Sequence, residues 1–184
     1  MTALVRFGNW LGAMAVAAVL VAAFVLQFAH HELPCPLCLL QRIAFVMCGF
    51  GFLMNLRFGA QPLHYGIVLL AALFGLAASG RHVLLHITPG DAGFGAPVLG
   101  LHIYTWAFVF FTAVVLGVAF LLLLSPREVE RREGRHALPM GGLSSFVAWL
   151  LILVTLANAA AAFALCGPID CPDNTTTYWL FTRF

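Results

Sequence analysis

Lysine is absent from this chain, and all nine basic residues are arginine. Charge of either sign is scarce, with 9% charged residues among 184 and a formal net charge of +2. So small and scattered a positive charge excludes an electrostatic nucleic-acid binder. So little polar surface excludes a soluble domain of this size, which would need far more of it to cover itself.

What fills the chain instead is apolar. Hydrophobic residues make up 62%, and the mean hydropathy is +1.00. Five runs reach the roughly 20 residues needed to cross a bilayer: Trp10–Ala29, Pro36–Leu56, Tyr65–Ile87, Leu101–Leu124 and Leu143–Leu165. The first is too long for the apolar core of a cleaved leader, and Gln27-Phe28-Ala29-His30 offers no small-x-small cleavage site. The expected fold is therefore an all-α integral membrane protein, one membrane domain over residues 1–184. An antiparallel four-helix bundle takes the first four runs, a fifth helix packs alongside, and residues 166–184 form an external tail. The Ala/Gly-rich stretches Ala13–Ala23 and Ala71–Gly80 allow helices to approach closely.

Arginine placement predicts the orientation. With the N-terminus cytoplasmic, Arg6, Arg57, Arg127, Arg131, Arg132 and Arg135 all fall on the cytoplasmic side. The opposite side keeps Arg183, with Arg42 and Arg81 near helix ends. The C-terminus is then external.

The cysteines follow the same division. Cys35 and Cys38 sit in the first external loop and Cys166 and Cys171 in the external tail, while Cys48 lies inside a helix. Paired cysteines on one face fit an oxidising compartment such as the outside of a bacterial inner membrane. Four cysteines allow three connectivities, and sequence proximity favours Cys35–Cys38 and Cys166–Cys171. Cys48 is about 15 Å along the helix axis from Cys38, so it reads as a small core residue.

Cys35-Pro36-Leu37-Cys38 stands where the second run begins, and Arg42 follows four residues after Cys38, on the same helical face. Pro36 has no N–H to lose at a helix start. Free N–H groups there favour a thiolate, expected at Cys38. Arg42 would lie below the interface, where a cation is costly and usually functional. A guanidinium in that position suits a developing oxyanion.

The run Pro34-Cys35-Pro36-Leu37-Cys38-Leu39-Leu40-Gln41-Arg42 resembles the first cysteine loop of the DsbB family, quinone-dependent oxidases that reoxidise the periplasmic dithiol oxidant DsbA. Arg81-His82-Val83, with Pro89 beyond it, resembles the family's membrane-edge histidine segment. Leu99-Gly100-Leu101 with Trp106 resembles the segment leading into the fourth helix. The resemblance covers roughly residues 5–125. It implies a thiol:quinone oxidoreductase of the inner membrane, with ubiquinone or menaquinone as cofactor and no metal or haem. Cys35, Cys38, Cys166 and Cys171 would be the redox residues, and Arg42, His82, Gln41 and Trp106 would hold the quinone. The soluble partner would be a DsbA-like thiol oxidant, and membership of a larger membrane complex is open. In one respect the chain departs from the family. The loop Thr88–Pro97, where the best-known members carry their second cysteine pair, has no cysteine, and the second pair follows the extra fifth helix. Gly167, Pro168 and the polar stretch Asp173–Thr177 suggest an exposed, non-helical tail that can move.

Each of these residues has a structural competitor. Cys35/Cys38 can be a static staple and Cys166–Cys171 a tail clamp. Arg42 can snorkel to headgroups, Trp106 can anchor in the aromatic belt, and His82 can be an ordinary interfacial histidine. Asn158 reads as an interhelical hydrogen-bonding residue. Rival functions are a non-catalytic accessory subunit of the same fold, a vitamin-K-epoxide-reductase-like enzyme, and metal handling by His30 and His31 with Cys35 and Cys38.

Overall fold

The computed structural model describes residues 3–29, 32–91, 93–95, 97–124, 141–168, 171 and 178–182. The arginine group at 127, 131, 132 and 135, together with Arg183, His30, His31 and the tail stretch 173–177, lies outside the described residues. The described residues form five long apolar helices: α1 (Ala3–Ala29), α2 (Pro36–Phe58), α3 (Pro62–Leu85), α4 (Ile103–Leu124) and α5 (Gly142–Cys166). Each is long and apolar enough to cross a membrane, and the protein is an all-α integral membrane protein. Among the described residues the only β pairing is the isolated bridge Val98–Leu101. A 3-10 turn, Trp179–Thr182, closes the chain.

The helices start and stop where local chemistry dictates. Pro36 and Pro62 occupy first-turn positions of α2 and α3, where a missing N–H costs nothing. Gly59, at φ 85°, ends α2, and Gly167, at φ 69°, ends α5. Three helices begin earlier than their apolar runs, α1 at Ala3 rather than Trp10, α3 at Pro62 rather than Tyr65 and α5 at Gly142 rather than Leu143. Cys166 is the last residue of α5 rather than the first of the tail.

Lipid offers no hydrophobic force between helices, so packing and hydrogen bonds must hold them together. Small residues provide the packing. Gly75 leaves room for the Phe111 ring, and Gly51 for Val68. Ala71, Ala72, Gly75, Ala78 and Ser79 give α3 a buried small-residue face. The chain order of neighbours is α1–α2–α3–α4, and α1 touches α4 only slightly. α5 packs chiefly on α1 and less on α2. Gly141 lies near the Arg6 guanidinium and Asn158 donates to the Leu20 carbonyl, so α5 runs parallel to α1. Cys166 therefore lies at the bundle end that carries Gln27 and Cys35.

Hydrogen bonds pin the opposite end. Asn9 donates to the Tyr65 hydroxyl at 2.8 Å and to the Val5 carbonyl at 2.8 Å. Asn55 donates to the Asn9 side chain at 2.8 Å, and its own oxygen meets His64 Nδ1 at 3.0 Å. All four side chains are buried. Interhelical bonds of this kind contribute about 0.6 kcal/mol each in a membrane.

Candidate functional site

The site begins at the start of α2. Cys35 is the N-cap, with extended backbone at φ −75° and ψ 166°. Because Pro36 has no N–H, the first side-chain bond of the helix end comes from the Cys38 N–H, which donates to Cys35 Sγ at 3.2 Å. The sulfur thus takes the place of the usual oxygen cap. The two Sγ atoms lie in hydrogen-bond contact at 2.7 Å, and both thiols are free. The thiol contact with Cys38, followed by the Cys38 and Leu37 N–H groups, pulls the Cys35 pKa down to about 7 against the opposing effect of burial. The Cys38 thiol contact, with the helix-end N–H groups behind it, thus favours the anion at Cys35.

One turn deeper, Arg42 reaches into the bundle instead of out to headgroups. Its Nη1 donates to Gln27 Oε1 at 2.7 Å and to Asn158 Oδ1 at 3.1 Å, and Nη2 donates to the Ala23 carbonyl at 3.1 Å. Two helices, α1 and α5, thus hold a guanidinium carried by a third. Gln41, on the adjacent face, places its amide 3.4 Å from His82 Nδ1. His82 is 2% exposed, and its ring stacks on Tyr104 with centroids 4.3 Å apart. Cys35, Cys38 and His82 each offer a donor atom within 4.8 Å of the others.

Cys38, Gln41 and Arg42 border a cavity of about 460 Å³ between α1, α2 and α4. Cys38, Gln41 and Arg42 supply polar groups to its wall, Phe45, Phe94, Tyr104, Trp106 and Phe110 supply rings, and Ala22, Ala23 and Leu26 of α1 supply an aliphatic face. Trp106 lines the cavity, but its indole N–H is committed to the Val98 carbonyl at 2.9 Å. That bond ties down the tight turn in which Val98 and Leu101 pair, with Leu99 at φ 52° and Gly100 at φ 82°. Leu99 is a branched residue in the left-handed region, which is uncommon.

The second cysteine pair, Cys166–Cys171, is joined by a disulfide. Beyond it the chain folds back on the bundle. Trp179 covers Gly167 and meets the Phe163 ring edge-on at 6.1 Å. Gln27 donates to the Tyr178 hydroxyl at 3.3 Å. Gln27 thus touches both the tail and Arg42. Asn158, the other side-chain acceptor of Arg42, lies eight residues before Cys166, about 12 Å along α5.

The structure brings Cys35, Cys38, Gln41, Arg42, His82 and Trp106 together at one end of the bundle. Cys48 is buried apart from them, its thiol facing the Val68 carbonyl. Sequence reasoning missed Gln27 and Tyr104. A glutamine in an apolar membrane helix was the available signal for Gln27. Tyr104 gave none, since an aromatic residue at a helix start reads as a belt anchor.

A free cysteine pair thus stands at the start of a membrane-length helix, beside an apolar cavity and a buried cation. The sequence profile of the DsbB family, described as Disulfide bond formation protein DsbB, matches residues 5–95. Three proteins named Disulfide bond formation protein B are similar to this chain. That of Chromohalobacter salexigens is 37% identical over 92 residues, covering 47% of this chain and 54% of its own. That of Xylella fastidiosa is 29% identical over 137 residues, covering 71% of this chain and 76% of its own. That of Pseudomonas syringae pv. tomato is 42% identical over 74 residues, covering 38% of this chain and 43% of its own. The chain thus spans about half the length of the first and third, and three quarters of the second. Through this segment, which carries Cys35, Cys38, Arg42 and His82, the chain belongs to the DsbB family. No solved structure is significantly similar to it.

Proposed function

We propose that this protein is a thiol:quinone oxidoreductase of a bacterial inner membrane, forming disulfides by passing electron pairs from a periplasmic dithiol protein to a membrane quinone. The observation that carries the proposal is the cavity wall, where Cys38, Gln41 and Arg42 face a space bounded by aromatic rings. Its volume falls within the range of small-molecule pockets. A flat, apolar ring with two carbonyl oxygens fits such a wall, because rings can cover its faces and Gln41 and Arg42 can donate to its oxygens. A quinone of the ubiquinone or menaquinone type supplies a two-electron, two-proton sink. Strong protein thiol oxidants sit near roughly −120 mV, so regenerating them demands a sink of this kind.

Each residue then has a task. Cys35, held toward the anionic form, is the sulfur that exchanges with an incoming disulfide or thiol. Cys38, on the cavity wall, hands the electron pair on. Arg42 donates to the oxygen on which negative charge develops, and the His82 imidazole holds or moves the proton that this oxygen takes up. Overall, a dithiol and a quinone become a disulfide and a hydroquinone, with two electrons and two protons transferred. The Cys166–Cys171 disulfide accepts electrons from a DsbA-like partner and passes them to Cys35/Cys38. The arginine asymmetry supports a cytoplasmic N-terminus and a periplasmic C-terminus, which puts both pairs on the oxidising side.

The test is quinone reduction by the purified full chain with dithiothreitol as donor, followed by quinone absorbance. The native protein should turn over and Cys38→Ser should not. Equal rates from the two would remove the role assigned to the pair.

A further inference from the structure

The corner that holds the thiol pair also gathers a set of soft metal ligands, and the electron route makes no use of them in that capacity. Cys35 Sγ, Cys38 Sγ and one imidazole nitrogen of His82 all lie within 4.8 Å of one another, with the sulfurs 2.7 Å apart. A tetrahedral zinc ion with bonds of about 2.3 Å to sulfur and about 2.0 Å to nitrogen spaces its ligand atoms by roughly 3.5–3.8 Å. Parting the two sulfurs by about 1 Å therefore closes all three groups on one ion. Cys35 precedes the first turn of α2, so the pair can open by rotation about its side-chain bonds without moving the helix.

The imidazole is already fixed in place. His82 is 2% exposed, stacked on Tyr104 at 4.3 Å, and has the Gln41 amide 3.4 Å from Nδ1. Ring stacking and an amide neighbour of this kind hold an imidazole's orientation, as outer partners do for metal-binding histidines. Cys38 and the aliphatic wall beyond it border the cavity, so a fourth position stays open to solvent or a small ligand, as in exchangeable zinc sites.

We propose that the reduced Cys35/Cys38 pair binds zinc together with His82, as a two-thiolate, one-imidazole site with one open position. Binding forms two sulfur–zinc bonds and one nitrogen–zinc bond, and two thiol protons leave to solvent. No electron moves. The disulfide form offers no thiolate, so the site exists only in the reduced state, and oxidation releases the metal. An occupied site holds back both sulfurs and places an ion at the cavity wall, so zinc arrests the reduced protein. The inference rests on three side chains and stands whether or not a quinone is the electron acceptor. It also moves the imidazole contribution away from His30 and His31, which precede the pair in sequence, to a histidine of α3.

The experiment uses the full chain in detergent micelles, reduced with a phosphine, with Co2+ as the spectroscopic stand-in and Zn2+ as competitor. Thiolate-to-cobalt charge-transfer absorption and the strong visible bands of four-coordinate cobalt should appear and should vanish on adding zinc. The same preparation, oxidised beforehand, should give neither, a control that needs no substitution. His82→Ala should weaken cobalt binding at least about tenfold, and His82→Cys, which restores a soft ligand, should recover the bands. Cys166→Ala with Cys171→Ala, and His30→Ala with His31→Ala, should leave the titration unchanged. The site is overturned if the reduced protein gives no charge-transfer band, or if the oxidised protein binds equally well. Unchanged affinity in His82→Ala, or loss in either of the last two double variants, does the same.

Discussion

Arg42 on α2 donates to the side-chain oxygen of Gln27 on α1 at 2.7 Å. With Asn158 Oδ1 and the Ala23 carbonyl, this makes three acceptors, and all three are neutral. Neutral oxygens orient the guanidinium without cancelling its charge. Its position is therefore fixed while its field remains available to an anion in the cavity, which is the form of preorganisation that lowers a barrier.

Replacing Arg42 by Leu should lower quinone reduction by about 10²–10³-fold, the usual cost of losing one oxyanion donor. Thermal stability in detergent should hold or rise, because a costly buried charge is removed along with its partners' constraint. Quinone-reductase kinetics and a melting curve check both halves. Unchanged kinetics would leave Arg42 a structural cation only.

Cys35 alkylation should follow a titration centred near pH 7, because its thiolate is favoured by Cys38. The sign is that of a depressed acid: the reactive anion dominates above the midpoint and is lost as pH falls through it. Iodoacetamide rates on the reduced Cys166→Ala, Cys171→Ala protein measure it. Replacing Cys38 by Ala removes the largest cause and should move the midpoint up toward the ordinary value of 9.0.

Five spans and the arginine distribution predict that Cys35 and Cys171 share one side of the membrane. After reduction, both should react with an impermeant maleimide added from the periplasmic side of spheroplasts. Labelling of Cys171 only from the cytoplasmic side would break the five-span arrangement.

The double change Cys166→Ala with Cys171→Ala separates a relay from a clamp. In a relay, oxidation of a DsbA-like protein dithiol fails, while quinone reduction by dithiothreitol continues at Cys35/Cys38. A normal rate with the protein dithiol would make the tail disulfide structural. A tail disulfide that is never reduced during turnover would favour the accessory-subunit reading instead.

The five helices were legible because each is a long apolar run, and apolar length alone sets a membrane span. Their starts were less so. Arg6 and Asn9 look like the polar approach to a helix, yet α1 begins at Ala3 because Asn9 is buried and bonded to Val5 and Tyr65. His64 likewise looks like a flank, but its bond to Asn55 draws it into the bundle. At the site, spacing was enough to place Cys38 and Arg42 on one helix just after Cys35, and resemblance added His82. Gln27 offered only its polarity within an apolar run and Tyr104 offered nothing, because their roles come from contacts between helices distant in sequence. Spacing did not reveal the contact between the two thiols or the Cys38 N–H that donates back to Cys35 Sγ, because both depend on the cap geometry before Pro36.

α1 carries its two buried polar anchors, Asn9 and Gln27, eighteen residues apart. At 100° per residue that is a whole number of turns, so both project from one stripe of the helix, about 27 Å apart along its axis. One grips α2 and α3 near one lipid leaflet, and the other grips the guanidinium and the tail near the other leaflet. Such a helix cannot slide or roll to suit its surroundings without breaking both grips together. In a bilayer thicker or thinner than the roughly 30 Å norm, the lipid must therefore deform around the protein. Activity should accordingly depend on acyl-chain length, with an optimum set by the distance between two polar side chains.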